Sequence, residues 1–351
     1  MSLTTRRALA LMGAAALGLG MAGCSASPDG PADGGSSSSI VSLVQADQTT
    51  EYDEVLADLG QPTVPDKAKI CYVTRTLSNE YWSFVTQGVQ NRAKELGVES
   101  QVFAVNDEAS ITEQLDKAKS ALTQGCSVLL ASPISATGLD SVFSDALAQG
   151  VPVVVLNDAK GTLPGVVYSG PDSLVTGKSA ADYLAEKLPQ GGEVAMVEGD
   201  PGSSNALNRG EGFKNGLADH PNLTLVASQT ANWDQTKAQD IATAMLTANP
   251  DLKAFYVQND GMAFGVATAV ERAGKTGQIL IVGTDGIPQA KKEIQNGRMT
   301  ATVSQKPNQE GAAGVDAGLW LIAGKQVPGW IEVPAFVVDS ANVAQYADGM
   351  P

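Results

Sequence analysis

The chain has 351 residues, room for about two domains, and 43% of them are apolar, enough to build packed cores. Lys and Arg total 23 against 38 Asp and Glu, a formal net charge of −15, so the chain has no general attraction for phosphate backbones and nucleic acid is not an expected partner. One histidine and three cysteines leave no material for a His-based triad, a His/Cys zinc cage or CxxC chemistry, and neither metal nor cofactor is expected. The single His220 stands in Asp-His-Pro-Asn, a turn sequence expected to face solvent.

In chain order, the first segment is an address. Arg6 and Arg7 precede sixteen small or apolar residues (8–23), and Cys24 follows. A positive head, a short apolar run and small residues before a cut site are the parts of an export signal. Sixteen residues at a helical rise fall short of the ~30 Å hydrocarbon core, so a permanent span is not expected. Met21-Ala22-Gly23-Cys24 resembles a bacterial lipobox, although that pattern prefers Leu where Met21 stands. The resemblance implies a signal peptide over 1–23, acylation of Cys24 and a protein exported and anchored at the outer face of the cell membrane. Thr5-Arg6-Arg7-Ala8-Leu9 is similar to an incomplete twin-arginine signal, so both export routes stay open. Gly18-Leu-Gly20-Met-Ala-Gly23 has the spacing of a dinucleotide fingerprint but follows no strand, and carries no such function.

Residues 25–39 are Ser, Gly, Pro, Ala and Asp only, a flexible tether with an r.m.s. reach of roughly 20–23 Å. Residues 40–62, with Ile40, Leu43, Val55 and Leu59, predict a short helix docked on the body. From Lys69 onward, apolar runs rich in β-branched residues alternate with segments of helical period. The runs are 70–74, 102–105, 128–131, 153–156, 194–197, 223–227, 255–257, 279–282 and 301–303. Helical stretches are expected at 85–96, where Gly97 supplies the stop, and near 110–124, 137–148, 175–188, 204–218, 236–248, 261–274, 288–296 and 308–324. Such alternation predicts an α/β protein with parallel sheets covered on both faces, and nine runs suit two doubly wound domains. A closed eight-stranded barrel is the rival arrangement.

Open α/β sheets place ligands just past the strand ends, and those positions are unusually polar here. They carry Arg75, Asn79, Tyr81 and Trp82; Asn157 and Asp158; Asn205; Trp233; Asn259; Asp285; and Gln305. Any one Asn or Asp after a strand reads first as a helix N-cap. A set dominated by Asn, Asp, Gln and Trp at nearly every strand end is harder to assign to capping alone.

The motifs Thr76-Leu-Ser-Asn79-Glu-Tyr-Trp82, Val151-Pro-Val-Val-Val-Leu-Asn157, Asn208-Arg-Gly-Glu-Gly-Phe213, Gln258-Asn-Asp260, Val282-Gly-Thr-Asp-Gly286 and Gln305-Lys-Pro307 occur in this order. Together they resemble the type I sugar-binding proteins of bacterial ABC importers, in particular the ribose-binding-like group, over about residues 67–338. The resemblance implies two doubly wound lobes joined by a three-crossover hinge that closes on ligand. It implies a first lobe of 66–170 plus 306–332 and a second of 171–305 plus 333–351, with 24–65 as lipidated cysteine, tether and N-terminal segment. It also implies a monomer that hands a solute to an ABC permease. Arg75 and Asp158 stand where ribose-like binders tend to carry a small polar residue and an Arg, a departure that argues against ribose itself.

The residues carry the same chemistry without the family. A sugar or polyol presents hydroxyls that both donate and accept, and an apolar C–H face. Carboxylates and side-chain amides bind neighbouring hydroxyls, and aromatic rings cover the C–H face. Asn79, Asn157, Asn259, Asp285 and Gln305 are the expected hydroxyl readers, with Tyr81, Trp82 and Trp233 as walls. Arg75 and Asp158 stand at the ends of two strands, either paired with each other or both turned to solvent at the cleft rim. Neither arrangement offers an unpaired cation pair, which predicts a neutral ligand, a small sugar or polyol, over a sugar acid or phosphate. Other readings are a sensor that signals to a membrane receptor or kinase and a glycosidase using Asp158 and Asp285, but no nucleophile motif occurs and no enzyme is expected. Cys71 and Cys126 begin two runs expected to be neighbours, and their apolar surroundings predict free buried thiols.

Overall fold

The computed structural model describes residues 38–158 and 163–346. The expected signal 1–23, Cys24 and the tether up to residue 37 lie outside them. The described part opens with α1 (Ser38–Leu43), β1 (Val44–Glu51) and α2 (Tyr52–Leu59). Strands and helices then alternate through β2 (Lys69–Thr74), α3 (Glu80–Leu96), β3 (Glu99–Ala104), α4 (Ile111–Thr123), β4 (Val128–Ala131), α5 (Asp140–Ala148), β5 (Val153–Leu156) and β6 (Val166–Gly170). The second run is α6 (Ser173–Lys187), β7 (Gly192–Glu198), α7 (Ser204–Asp219), β8 (Leu223–Thr230), α8 (Gln235–Ala248), β9 (Leu252–Val257), α9 (Asp260–Arg272), β10 (Leu280–Asp285), α10 (Pro288–Gln295) and β11 (Ala301–Ser304). It closes with α11 (Pro307–Ile322), β12 (Val327–Glu332) and β13 (Phe336–Asp339).

The strands form a seven-stranded sheet ordered β1-β12-β6-β5-β4-β2-β3 and a six-stranded sheet ordered β13-β11-β10-β9-β7-β8. Among the described residues every pairing is parallel except that of β11 with β13. The chain passes between the sheets after β6, after β11 and after β12, which makes two lobes and a three-strand hinge.

The apolar runs follow from burial on both faces. On β2, Ile70 and Tyr72 join one core cluster while Cys71 and Val73 join the other. On β9, Phe255 and Val257 point one way and Ala254 and Tyr256 the other. A strand covered twice has no solvent face to keep polar, so its sequence runs apolar without alternation. Among the described residues no helix is long and apolar enough to cross a membrane.

Three expectations need correction. Residues 40–62 hold two helices and a strand in place of one helix. β1 joins the first sheet beside β12, with Val44 opposite Val327 and Glu51 opposite Glu332. Its sequence, Val-Gln-Ala-Asp-Gln-Thr-Thr-Glu, lies on a sheet edge and is largely exposed, so no apolar run marks it. α2 is held by Tyr52, whose hydroxyl donates to the buried Asp316 of α11 at 2.8 Å; Arg92 of α3 donates to the same carboxylate at 2.7 and 2.8 Å. Second, Cys71 and Cys126 are not free thiols but a disulfide, with Cα atoms 5.7 Å apart. β2 and β4 are neighbours as expected, Ile70 opposite Val128, and that adjacency brings the pair within bridging distance. Apolar surroundings suit a buried bridge as well as a buried thiol. Third, His220 is only partly exposed, its Nε2 lying 2.8 Å from Asp182.

Candidate functional site

The C-terminal ends of both sheets face one narrow cleft, with about 310 Å³ of empty space once the open solvent at its mouth is included. Ten of the eleven expected ligand residues line it: Arg75, Asn79, Tyr81, Trp82, Asn157, Asp158, Asn205, Trp233, Asn259 and Asp285. Glu108 and Arg209, which the sequence reading passed over, line it too. Gln305 stands behind the wall, where its Oε1 accepts from Asn157 Nδ2 at 3.3 Å and its Nε2 donates to Asp285 Oδ1 at 2.9 Å.

Helix starts deliver most of these groups. Asn79 caps α3 through Oδ1, which accepts from the Tyr81 N–H at 3.2 Å, while its Nδ2 donates to Glu108 Oε1 at 3.1 Å. Asn259 caps α9 in the same way, Oδ1 accepting from the Met262 N–H at 2.8 Å. Capping and cavity lining are therefore not rival roles, because a cap uses the amide oxygen and leaves the NH₂ group for another acceptor, as Asn79 Nδ2 serves the lining residue Glu108. Three lining residues, Asn157 (φ 65°), Trp233 (φ 63°) and Asp285 (φ 127°), have left-handed backbone. Such conformations cost of order 1–3 kcal/mol in a non-glycine residue and persist where the surroundings over-determine them.

Close helix packing positions the rest. A Cβ at Gly88 of α3 would collide with the Asn308 carbonyl of α11, and one at Gly177 of α6 with the Arg209 carbonyl of α7. The first approach sets Tyr81 against Glu310: the phenol donates to Glu310 Oε2 at 2.7 Å, and Asn157 Nδ2 donates to the same oxygen at 3.0 Å. The second fixes Arg209, which donates to the Gln258 carbonyl at 2.7 Å and to Gln305 Oε1 at 2.9 Å and lies 6.0 Å from the Trp233 ring centre.

The electrostatics are tightly balanced. Arg75 pairs with Asp158, donates to the Pro133 carbonyl at 2.6 Å, lies 3.8 Å from Glu108 and sits 5.2 Å from the centre of the Trp82 ring. Burial pushes the Asp285 carboxyl up to about 7, against the opposing Arg209 charge and the hydrogen bond from Gln305. Burial likewise pushes Glu310 up to about 8, opposed by its bonds from Tyr81 and Asn157, and raises Glu108 against the Arg75 charge. Among the described residues two guanidiniums and three carboxylates thus line one small space, and the Arg75 guanidinium is paired with Asp158.

The periplasmic binding protein domain family matches residues 70–326. This chain belongs to that family. The D-allose-binding periplasmic protein of Escherichia coli (strain K12) is 38% identical over 293 residues, 79% of this chain and 92% of the relative. The ribose import binding protein of Salmonella typhimurium (strain LT2) is 33% identical over 262 residues, covering 74% of this chain and 87% of the relative. Among solved structures, an ABC transporter periplasmic solute binding protein from Actinobacillus succinogenes with bound D-allose superposes with a TM-score of 0.76 at 30% identity. That match covers 80% of this chain and all of the other.

In this periplasmic binding protein, the residues missed from sequence left signals of different strength. Glu108 follows β3 in Asn106-Asp-Glu108, a strand end like the others. Arg209 lies one helical turn after Asn205, so i, i+4 spacing places both on the cavity face of α7, while Leu207 between them is 60% exposed. Glu310 lies inside α11, and only the packing of α11 on α3 brings it to Tyr81.

Proposed function

We propose that this protein is an extracytoplasmic receptor that encloses a neutral sugar or polyol between its lobes and delivers it to an ABC permease, while a lipid on Cys24 holds it at the outer face of the membrane. The observation that carries the reading is the cavity itself: amides, carboxylates and guanidiniums from both lobes line it, with Trp82 of one lobe and Trp233 of the other. Hydroxyls are the ligand groups that satisfy donors and acceptors lying this close together, and indole faces cover the C–H side of a sugar ring. A polar group left unmatched in the closed cavity costs about 1–3 kcal/mol, which gives the site its means of rejecting near relatives. Burying a further anion beside Glu108, Asp158 and Asp285 is costly, which favours a neutral ligand over a sugar acid or phosphate.

The relatives named above bind D-allose or ribose by their descriptions, and these sugars head the trial set. Thermal shift against pentoses, hexoses, pentitols, tetritols and inositols tests the reading, since ligand at 100 times Kd stabilises by about 2.7 kcal/mol. Calorimetry on the responding compound should then give an affinity that changes little between low and moderate salt. A response to aldonates, uronates or sugar phosphates with none to neutral compounds would overturn it.

A further inference from the structure

On one wall of the cavity the two lobes hold each other directly. Asp158, just past β5 in the first lobe, is 1% exposed. Its Oδ2 accepts from the Ser203 hydroxyl at 2.7 Å and its Oδ1 from the Asn205 N–H at 3.1 Å. Both donors belong to the start of α7 in the second lobe, where Ser203 is the N-cap. Beside them, Asn205 Nδ2 donates to Asn157 Oδ1 at 2.5 Å. Arg75, from the lobe of Asp158 itself, supplies the counter-charge.

We propose that Asp158 is a positioning residue: it latches the two lobes together through the first turn of α7, so that part of the protein is closed before ligand arrives. The assignment rests on the reading of the interlobe cavity as the ligand site. Three features carry it. Each carboxylate oxygen holds a donor from the opposite lobe, Ser203 Oγ on one and the Asn205 N–H on the other. The ion pair with Arg75 lies within one lobe, so closure creates no new buried charge pair and only adds donors to an existing one. The donors sit at a helix N-terminus, where the dipole and free N–H groups favour an anion.

A receptor that binds ligand only when closed has an apparent Kd equal to the intrinsic value divided by the closed fraction. Loss of the latch should therefore weaken ligand binding by about three- to tenfold without any ligand contact being removed, the range expected of one or two hydrogen bonds. Ser203 separates the roles, because it is absent from the residues that line the cavity. Ser203→Gly keeps most of the N-cap, at a cost of only a few tenths of a kcal/mol, and removes the hydroxyl that reaches Asp158. Asp158→Asn keeps shape and removes the charge.

The test is small-angle X-ray scattering of the full chain, wild type and both variants, without sugar and with D-allose in excess, alongside calorimetry with D-allose. Without sugar, both variants should have a larger radius of gyration than wild type, and Ser203→Gly should bind three- to tenfold more weakly. A Ser203→Gly protein that scatters as wild type without sugar overturns the latch, whatever Asp158→Asn does to affinity. Failure of D-allose and the other neutral compounds to bind wild type would instead count against the receptor reading, and the sugar-free scattering would still decide the latch.

Discussion

Asp285 offers the sharpest test of the cavity's chemistry. It ends β10 with its carboxylate in the cavity wall, held by Gln305 Nε2 at 2.9 Å and by the Asp260 N–H. Replacing it with Asn removes the charge and keeps the shape. A hydrogen bond to a charged group contributes about 1.5–3 kcal/mol, so Asp285→Asn should weaken sugar binding by roughly 10- to 100-fold. The raised pKa adds a second signature. In the free protein burial, opposed by the Arg209 charge, pushes the Asp285 carboxyl up to about 7, and the buried Asp260 carboxyl nearby is raised with it. Sugar hydroxyls that donate to the ionised form lower that value, so binding near pH 6 should release close to one proton. If only the ionised form binds, affinity should rise about tenfold between pH 6 and pH 8. Calorimetry at pH 6 in two buffers of different ionisation enthalpy counts the protons, and Asp285→Asn should release none through this group. A wild-type affinity flat from pH 5.5 to 8.5 with no proton release, or an Asn variant within threefold of wild type, would refute the argument.

Glu310 should make the unliganded protein less stable as pH rises. Its folded pKa, about 8, lies above the ordinary value of 4.5, so the folded state holds the extra proton between them and stability falls across that window. Denaturant midpoints at pH 5 and pH 8 should therefore converge in Glu310→Gln relative to wild type, and an unchanged gap would contradict the assignment. The Cys71–Cys126 bridge closes a sequence separation of 55, and Cys71→Ala with Cys126→Ala should cost about 2–4 kcal/mol by urea unfolding. Titration of unfolded, unreduced protein should find neither of these thiols. Cys24→Ala should abolish lipid labelling in cells, and unchanged labelling would remove the anchor from the proposal.

Much of the fold is legible because its signals are local. Strands covered on both faces must be apolar at successive positions, and nine such runs stand in the sequence. Helix starts need side-chain acceptors, so Asn79, Ser203, Asp234 and Asn259 mark where chain leaves strand for helix, and those turns are also where an open α/β sheet meets its ligand. The cavity's polar character could be read residue by residue for that reason.

The tertiary structure decided what depends on distant partners. β1 is a strand because β12, nearly 280 residues later, offers it a sheet edge, and its own polar sequence gives no hint of that. Cys71 and Cys126 are bridged because the sheet order sets β2 against β4; apolar flanks cannot distinguish a thiol from a disulfide. Arg209 and Glu310 reach the cavity region through the close approach of α7 to α6 and of α11 to α3, where glycines let helix backbones touch. Sequence placed Asp158 at a strand end among the expected site residues, but its partners on α7 belong to the other lobe. Their geometry exists only when two sheets, each fixed by its own local pattern, close on one another, because the energies that pair them act across space and leave no periodicity along the chain.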